Sequence, residues 1–257
     1  MPYFSFENSS IYYEQYGKGK PLLFLHGWNE SIESFKKNMT PKLRDSFNLI
    51  LLDLPGFGKS DQINLSFDNL YLLLDSLIHK LDLKELYLVG YCMGGIIALD
   101  YTIRNPQKVN KLILIKTFID FPPTLYPLII EKINYKFLNF LFLTKPGMAI
   151  FQRILLLRDR FYKQDFFNGF SASNRANSSS YLRLMEDYSK INHYERIKQT
   201  GKEIIMIAGV HTNPMILKMI NKIKENYHKS KMIFLEKAGN FPIEENSNGL
   251  SKLIKSI

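Results

Sequence analysis

Residues 87–102, LYLVGYCMGGIIALDY, constrain the fold more than any other stretch. An apolar run ends at Gly90, Cys92 follows, and Gly94 and Gly95 precede an apolar pattern at helical spacing. The order dictates a buried strand, a tight turn and a helix, because glycine allows the close backbone approach that such a turn needs. Cys92, the one cysteine of the chain, stands at the tip of that turn.

The same punctuation recurs along the sequence. PLLFLHG (21–27) and NLILLDLPG (48–56) are continuous apolar runs closed by glycine, as expected of strands covered on both faces. ELYLVG and KLILIK flank the helix after Cys92, and EIIMIAG and KMIFLE repeat the pattern later. YFSF and IYYEQY read as a starting hairpin. Helical spacing links Leu70, Leu73, Leu74, Leu77 and Leu81, then Ile216, Ile220, Ile223 and Tyr227, then Leu250, Leu253, Ile254 and Ile257. This succession is that of an α/β protein with a mostly parallel central sheet flanked by helices.

Residues 120–198 break the rhythm with a helical, strand-free stretch. Within 121–200 there are 12 Lys/Arg against 6 Asp/Glu, and 15 of the 35 aromatic residues. An insert so apolar and so basic reads as a helical cap over a pocket, or as helices packed on the core. The expected organisation is a core of residues 1–119 and 199–257 with a helical cap or lid over 120–198.

Composition narrows the function classes. No apolar run approaches the ~20 residues of a bilayer span, and MPYFSFENSS lacks the features of a secretory leader. A single cysteine excludes an internal disulfide and fits a reducing, cytoplasmic setting. The net charge of +10 is spread along the chain without a nucleic-acid motif, so nucleic acid is not an expected partner. The charge suits an anionic partner instead, with membrane-surface contact through the cap as a weaker reading. No metal-ligand spacing or cofactor motif is present, and no cofactor or metal is expected.

Chemistry belongs at the carboxyl ends of the strands. There lie LHGW (25–28), DLPGFGKS (53–60), GYCMGG (90–95), AGVHTNP (208–214) and AGNFP (238–242). Together, in this order and over nearly the whole chain, they resemble the α/β-hydrolase family. The resemblance implies a nucleophile elbow at residues 90–94 and an oxyanion hole from the backbone N–H groups of Trp28 and Met93. It also implies a structural turn through Asp53, Pro55, Gly56, Gly58 and Ser60. His26 and Asp53 are read as turn-shaping residues rather than as acid or base.

The departures from the family are specific. Where it usually has serine, an acid and histidine, this chain has Cys92, Thr212 and Asn240. A triad can be rebuilt as Cys92, His211 and Asn240, a Cys-His-Asn combination known on another fold, if the loop of His211 shifts modestly. Asp120 is a candidate relocated acid. His79, His193 and His228 fall in helical stretches and are expected to face solvent.

Cysteine changes the energetics of a missing base. A free thiol has a pKa of about 8.5, and a helix N-terminus is expected to lower it further. Acylation of Cys92 would then need no base, while release of the acyl group to water would be slow and release to a thiol or amine easier. Two functions stay open. One is an acyl hydrolase or acyltransferase working through a Cys92 thioester on an apolar acyl substrate, presented on coenzyme A or an acidic carrier protein. The other is a non-catalytic protein of the same fold that binds a small apolar ligand or a partner.

Overall fold

The computed structural model describes residues 2–28, 30–117, 119, 146–147, 150, 178–212 and 214–257. Most of the expected cap, Asp120 included, lies outside the described residues.

Eight strands form one sheet: β1 (Tyr3–Phe6), β2 (Ser9–Tyr16), β3 (Lys20–Leu25), β4 (Phe47–Leu52), β5 (Leu86–Tyr91), β6 (Val109–Ile115), β7 (Ile204–Gly209) and β8 (Ser230–Leu235). Their order is β1-β2-β4-β3-β5-β6-β7-β8. The β1/β2 hairpin and the β2/β4 pair are antiparallel, and every pairing from β4 onward is parallel. The glycine-closed runs are thus the parallel strands, and the short starting hairpin forms the antiparallel edge.

Alternation along each strand explains the uninterrupted apolar runs. Leu23, Leu25, Ile50, Leu52, Leu88, Leu112, Leu114, Ile204 and Met206 face one side. There they meet α3 (Phe67–Lys80), α4 (Met93–Arg104), α5 (Ser178–Ser189), α6 (His193–Gln199) and α7 (Pro214–Asn226). Leu22, Phe24, Leu49, Leu51, Val89, Ile113, Ile115, Ile205 and Ile207 face the other side. Their partners come from α1 (Ile32–Asn38), α2 (Thr40–Leu43), α8 (Pro242–Glu245) and α9 (Ser247–Ser256). Each face buries its own layer, so the central parallel strands are apolar at successive positions where they lie under both layers.

Local signals place the helices. In α3, Ser66 accepts a hydrogen bond from the Asn69 N–H at 3.1 Å, and Leu70, Leu73, Leu74 and Leu77 are buried with Ile78. Leu81, the last residue of the expected stripe, is the C-cap. The described end of the 120–198 segment is helical, as expected, and is anchored to the core. Tyr181 Oη donates to Pro55 O at 2.9 Å, and Arg196 reaches the buried Asp100 carboxylate at 2.9 Å.

His193 corrects one expectation. It is buried, not solvent-facing: its ring stacks on Tyr188 with centroids 3.3 Å apart, and Nε2 lies 2.5 Å from Tyr188 O. Burial pulls its pKa down to about 4. His79 and His228 are exposed, as the sequence suggests.

The two turn-shaping residues are buried. His26 Nδ1 is 2.8 Å from Gly27 O, and its Nε2 accepts from the Leu54 N–H at 2.9 Å, so the ring clips the β3 turn to the β4 turn. Asp53 accepts from the N–H groups of Ile32 at 2.8 Å and Lys59 at 2.9 Å. Asp53→Ala leaves both donors unsatisfied and is expected to cost about 3 kcal/mol, read as a lower denaturation midpoint at pH 7.

Candidate active site

β5 is central, and its carboxyl end turns directly into α4. Cys92 lies between them with φ 51° and ψ −113°, a backbone conformation that an L-residue holds only under strain of about 1–3 kcal/mol. The Cys92 N–H donates to Ile115 O at 2.9 Å, and Cys92 O accepts from the Gly95 N–H at 3.1 Å. The flanking glycines are sterically required. A Cβ on Gly90 would come within 2.3 Å of Gly95 Cα, and one on Gly94 within 2.3 Å of Leu25 O. Strand, helix and the neighbouring β3 therefore meet at van der Waals distance only because these side chains are absent.

Cys92 is half-buried, and the backbone N–H groups of Met93 and Trp28 both donate to its sulfur. Two loops thus converge their donors on one point. Burial nevertheless pushes the thiol pKa above its ordinary value. Lys116 and the two N–H groups oppose that rise, and Glu30 adds to it. The expectation that the helix N-terminus would leave a readily ionised thiol is overturned: desolvation outweighs the helix and the donors.

Side chains that the sequence reading did not single out surround the elbow. Glu30, only 6% exposed, accepts from Ser34 Oγ at 3.3 Å and from the Gly27 N–H at 3.4 Å. Burial raises its pKa to about 7, against the pull of Lys116. Glu244 on α8 is raised well above the ordinary carboxylate range, by burial first and by the nearby Glu30 next. Neither Glu244 carboxylate oxygen, both buried, has a hydrogen-bond partner in another described residue. Glu245 accepts from the Gly239 N–H. Lys116, at the end of β6 with φ 49°, lays its Nζ over the Phe241 ring, 4.3 Å from the centroid.

The rebuilt triad fares unevenly. His211 is exposed, and its backbone N–H donates to Ala238 O at 3.0 Å. Asn240 is half-buried in the turn before α8. The side chains acting most strongly on the thiol are Lys116 and Glu30, not His211. Thr212, in the acid's position, is buried and donates from Oγ1 to Gly239 O at 3.0 Å, tying together the two loops that carry acid and histidine in the family. Among the described residues no cluster of three potential metal ligands occurs, and no helix is long and apolar enough to cross a membrane.

Comparison with known proteins agrees with this geometry. A family model described as alpha/beta hydrolase fold matches residues 20–246. The chain is 34% identical over 117 residues to an uncharacterized hydrolase, YugF, of Bacillus subtilis, a match covering 44% of this chain and 42% of that protein. It is 34% identical over 112 residues to a 2-hydroxy-6-oxononadienedioate/2-hydroxy-6-oxononatrienedioate hydrolase of Pseudomonas putida, covering 41% of this chain and 39% of that one. These matches therefore span about two fifths of the curated relatives. Among solved structures, a carboxylesterase of the thaumarchaeon Nitrososphaera gargenis superimposes with a TM-score of 0.82 at 19% identity, covering 99% of this chain and 97% of that one. With strand order, elbow and family model in agreement, the chain belongs to the α/β-hydrolase fold family.

Proposed function

We propose that this chain is an acyl hydrolase or acyltransferase in which Cys92 is the nucleophile and carries an apolar acyl group as a thioester. The observation that carries the reading is the convergence of the Met93 and Trp28 N–H groups on the sulfur of a cysteine held at positive φ. A carbonyl attacked by that sulfur would develop its negative oxygen within reach of the same donors, where fixed dipoles stabilise it best. The excess of Lys and Arg within 121–200 suits coenzyme A or an acidic carrier protein as the acyl donor. In this reading His211 contributes only if its ring leaves the exposed surface. Acceptors that bring their own nucleophilicity, a thiol or an amine, should therefore outpace water.

Thr212 favours a second reading. Its bond to Gly239 O occupies the place where the family's acid would orient an imidazole, as expected of a protein that has kept the fold to bind an apolar ligand. Kinetics separates the two readings. A medium-chain acyl thioester should be turned over faster with added thiol or amine than in buffer alone, and Cys92→Ala should abolish that turnover. Cys92→Ser should not restore it, since a hydroxyl ionises far less readily than a thiol and no imidazole stands at 240. Turnover by wild type no faster than the uncatalysed background would leave the binding reading.

A further inference from the structure

The raised thiol poses a problem that the proposed function does not solve. A sulfur that keeps its proton near neutrality needs somewhere to send it, and the imidazole usual at that place in the family is missing. The structure puts a carboxylate in the neighbourhood of the thiol. A Cβ built on Gly27 would meet Glu30 Oε1 at 3.1 Å and Cys92 Cβ at 3.3 Å, so acid and cysteine both line the space above Gly27. Gly27 has no side chain, so acid and cysteine border the same space, and the Glu30 charge acts on the thiol.

We propose that Glu30 is the proton acceptor for the Cys92 thiol. The proposal rests on Cys92 being the nucleophile. As the sulfur–carbon bond forms, the S–H proton passes to the Glu30 carboxylate. When the carbon–leaving-group bond breaks, the carboxylic acid returns that proton to the departing thiol, amine or alcohol. In deacylation the incoming acceptor delivers its proton to Glu30, and the released Cys92 sulfur takes it back. No net charge or electron is left over.

The surroundings suit the task. Lys116, from the end of β6, is the cation acting on both Glu30 and Cys92. Glu244 and Glu245 approach from α8, Tyr91 from β5, and Ser34 from α1. One ammonium cannot balance several carboxylates in a buried space, so the acids cannot all ionise together. Glu244, with no partner in another described residue, holds its proton most firmly. Glu30, with Lys116 and two hydrogen bonds, sits where it can both give and take one near neutral pH. Gly27 N–H is one of those bonds and adjoins the Trp28 donor, so the acceptor and one of the two oxyanion donors are carried by the same short loop.

The rate of Cys92 alkylation by iodoacetamide, followed from pH 5 to 9, tests this without any acyl substrate. Wild type should show a step near pH 7 that belongs to Glu30. Glu30→Gln should erase the step and slow labelling at pH 7 at least about tenfold. Glu30→Asp keeps a carboxyl but withdraws it by one methylene, and should keep the step at an intermediate rate. A wild-type rate in Glu30→Asp contradicts the proposal. Superimposed profiles for wild type and Glu30→Gln, with acyl adducts still forming on Cys92, overturn the role of Glu30 and leave the nucleophile intact. A wild-type chain that takes no acyl adduct at any pH overturns both.

Discussion

Replacing Gly94 by alanine is expected to cost about 3 kcal/mol or more and to abolish the proposed acyl transfer. The added methyl would sit 2.3 Å from Leu25 O and 2.5 Å from His26 O, and both are backbone atoms that cannot rotate away. To make room, α4 must lift from β3. It carries Cys92 with it and pulls the sulfur from the Trp28 N–H that the next turn supplies. Gly201→Ala is the control. That glycine has φ +60° and open space around it, so only backbone strain of about 1 kcal/mol is incurred, far from the elbow. Urea midpoints of the two variants should therefore differ several-fold in their shift from wild type, and only Gly94→Ala should lose transfer. Equal midpoints would mean that helix and strand do not meet as tightly as described.

The second large effect is a pH dependence of stability. Glu30 has a folded pKa of about 7 against an ordinary glutamate value of 4.5. A raised acid favours the fold while protonated. Its contribution is whole below about pH 4.5 and is lost as the pH rises through 7. That shift corresponds to roughly 3 kcal/mol. Asp53, raised to about 6, acts in the same direction. His26 and His193, both lowered to about 4 by burial, act oppositely: their contribution is whole above pH 6.5 and is lost as the pH falls toward 4. The opposing terms flatten the wild-type curve between those limits, so the effect is read in differences. The stability of Glu30→Gln relative to wild type should improve by roughly 3 kcal/mol between pH 4.5 and pH 8. His193→Gln should show the opposite trend, improving as the pH falls below 6.5. A pH-independent difference for Glu30→Gln would place that carboxyl in contact with water.

These expectations also mark how far the sequence could be read. The parallel strands follow from apolar runs, several closed by glycine, because a strand buried on both faces leaves a continuous signal, and the starting hairpin follows from YFSF and IYYEQY. The elbow follows from Gly90 and Gly94, whose side chains would strike backbone. The short helices α1 and α2, by contrast, have too few turns to show a period, and Pro41 inside "TPKL" reads as a breaker, although it sits at the start of α2. His193 was misjudged because its burial comes from stacking on Tyr188 of the preceding helix, across the short connection between α5 and α6, which helical spacing alone does not reveal. Glu30 left the faintest trace, a lone acid in "WNES" with no cation nearby in sequence to mark it. Its companions Lys116 and Glu244 are 86 and 214 residues away, and only the parallel crossovers bring the three loops together. The pKa of Cys92 depends on that same assembly. A helix N-terminus can be read from sequence, but the burial that overrides it cannot.

The central claim is that Cys92 carries the acyl group. It is tested most directly by the mass of the chain, acid-quenched seconds after mixing with a medium-chain acyl thioester. The account predicts a single added acyl mass that maps to the peptide bearing Cys92, is absent in Cys92→Ala, and disappears faster when a thiol or amine is added than in buffer. An unmodified chain, or an acyl group that persists in Cys92→Ala, would contradict it.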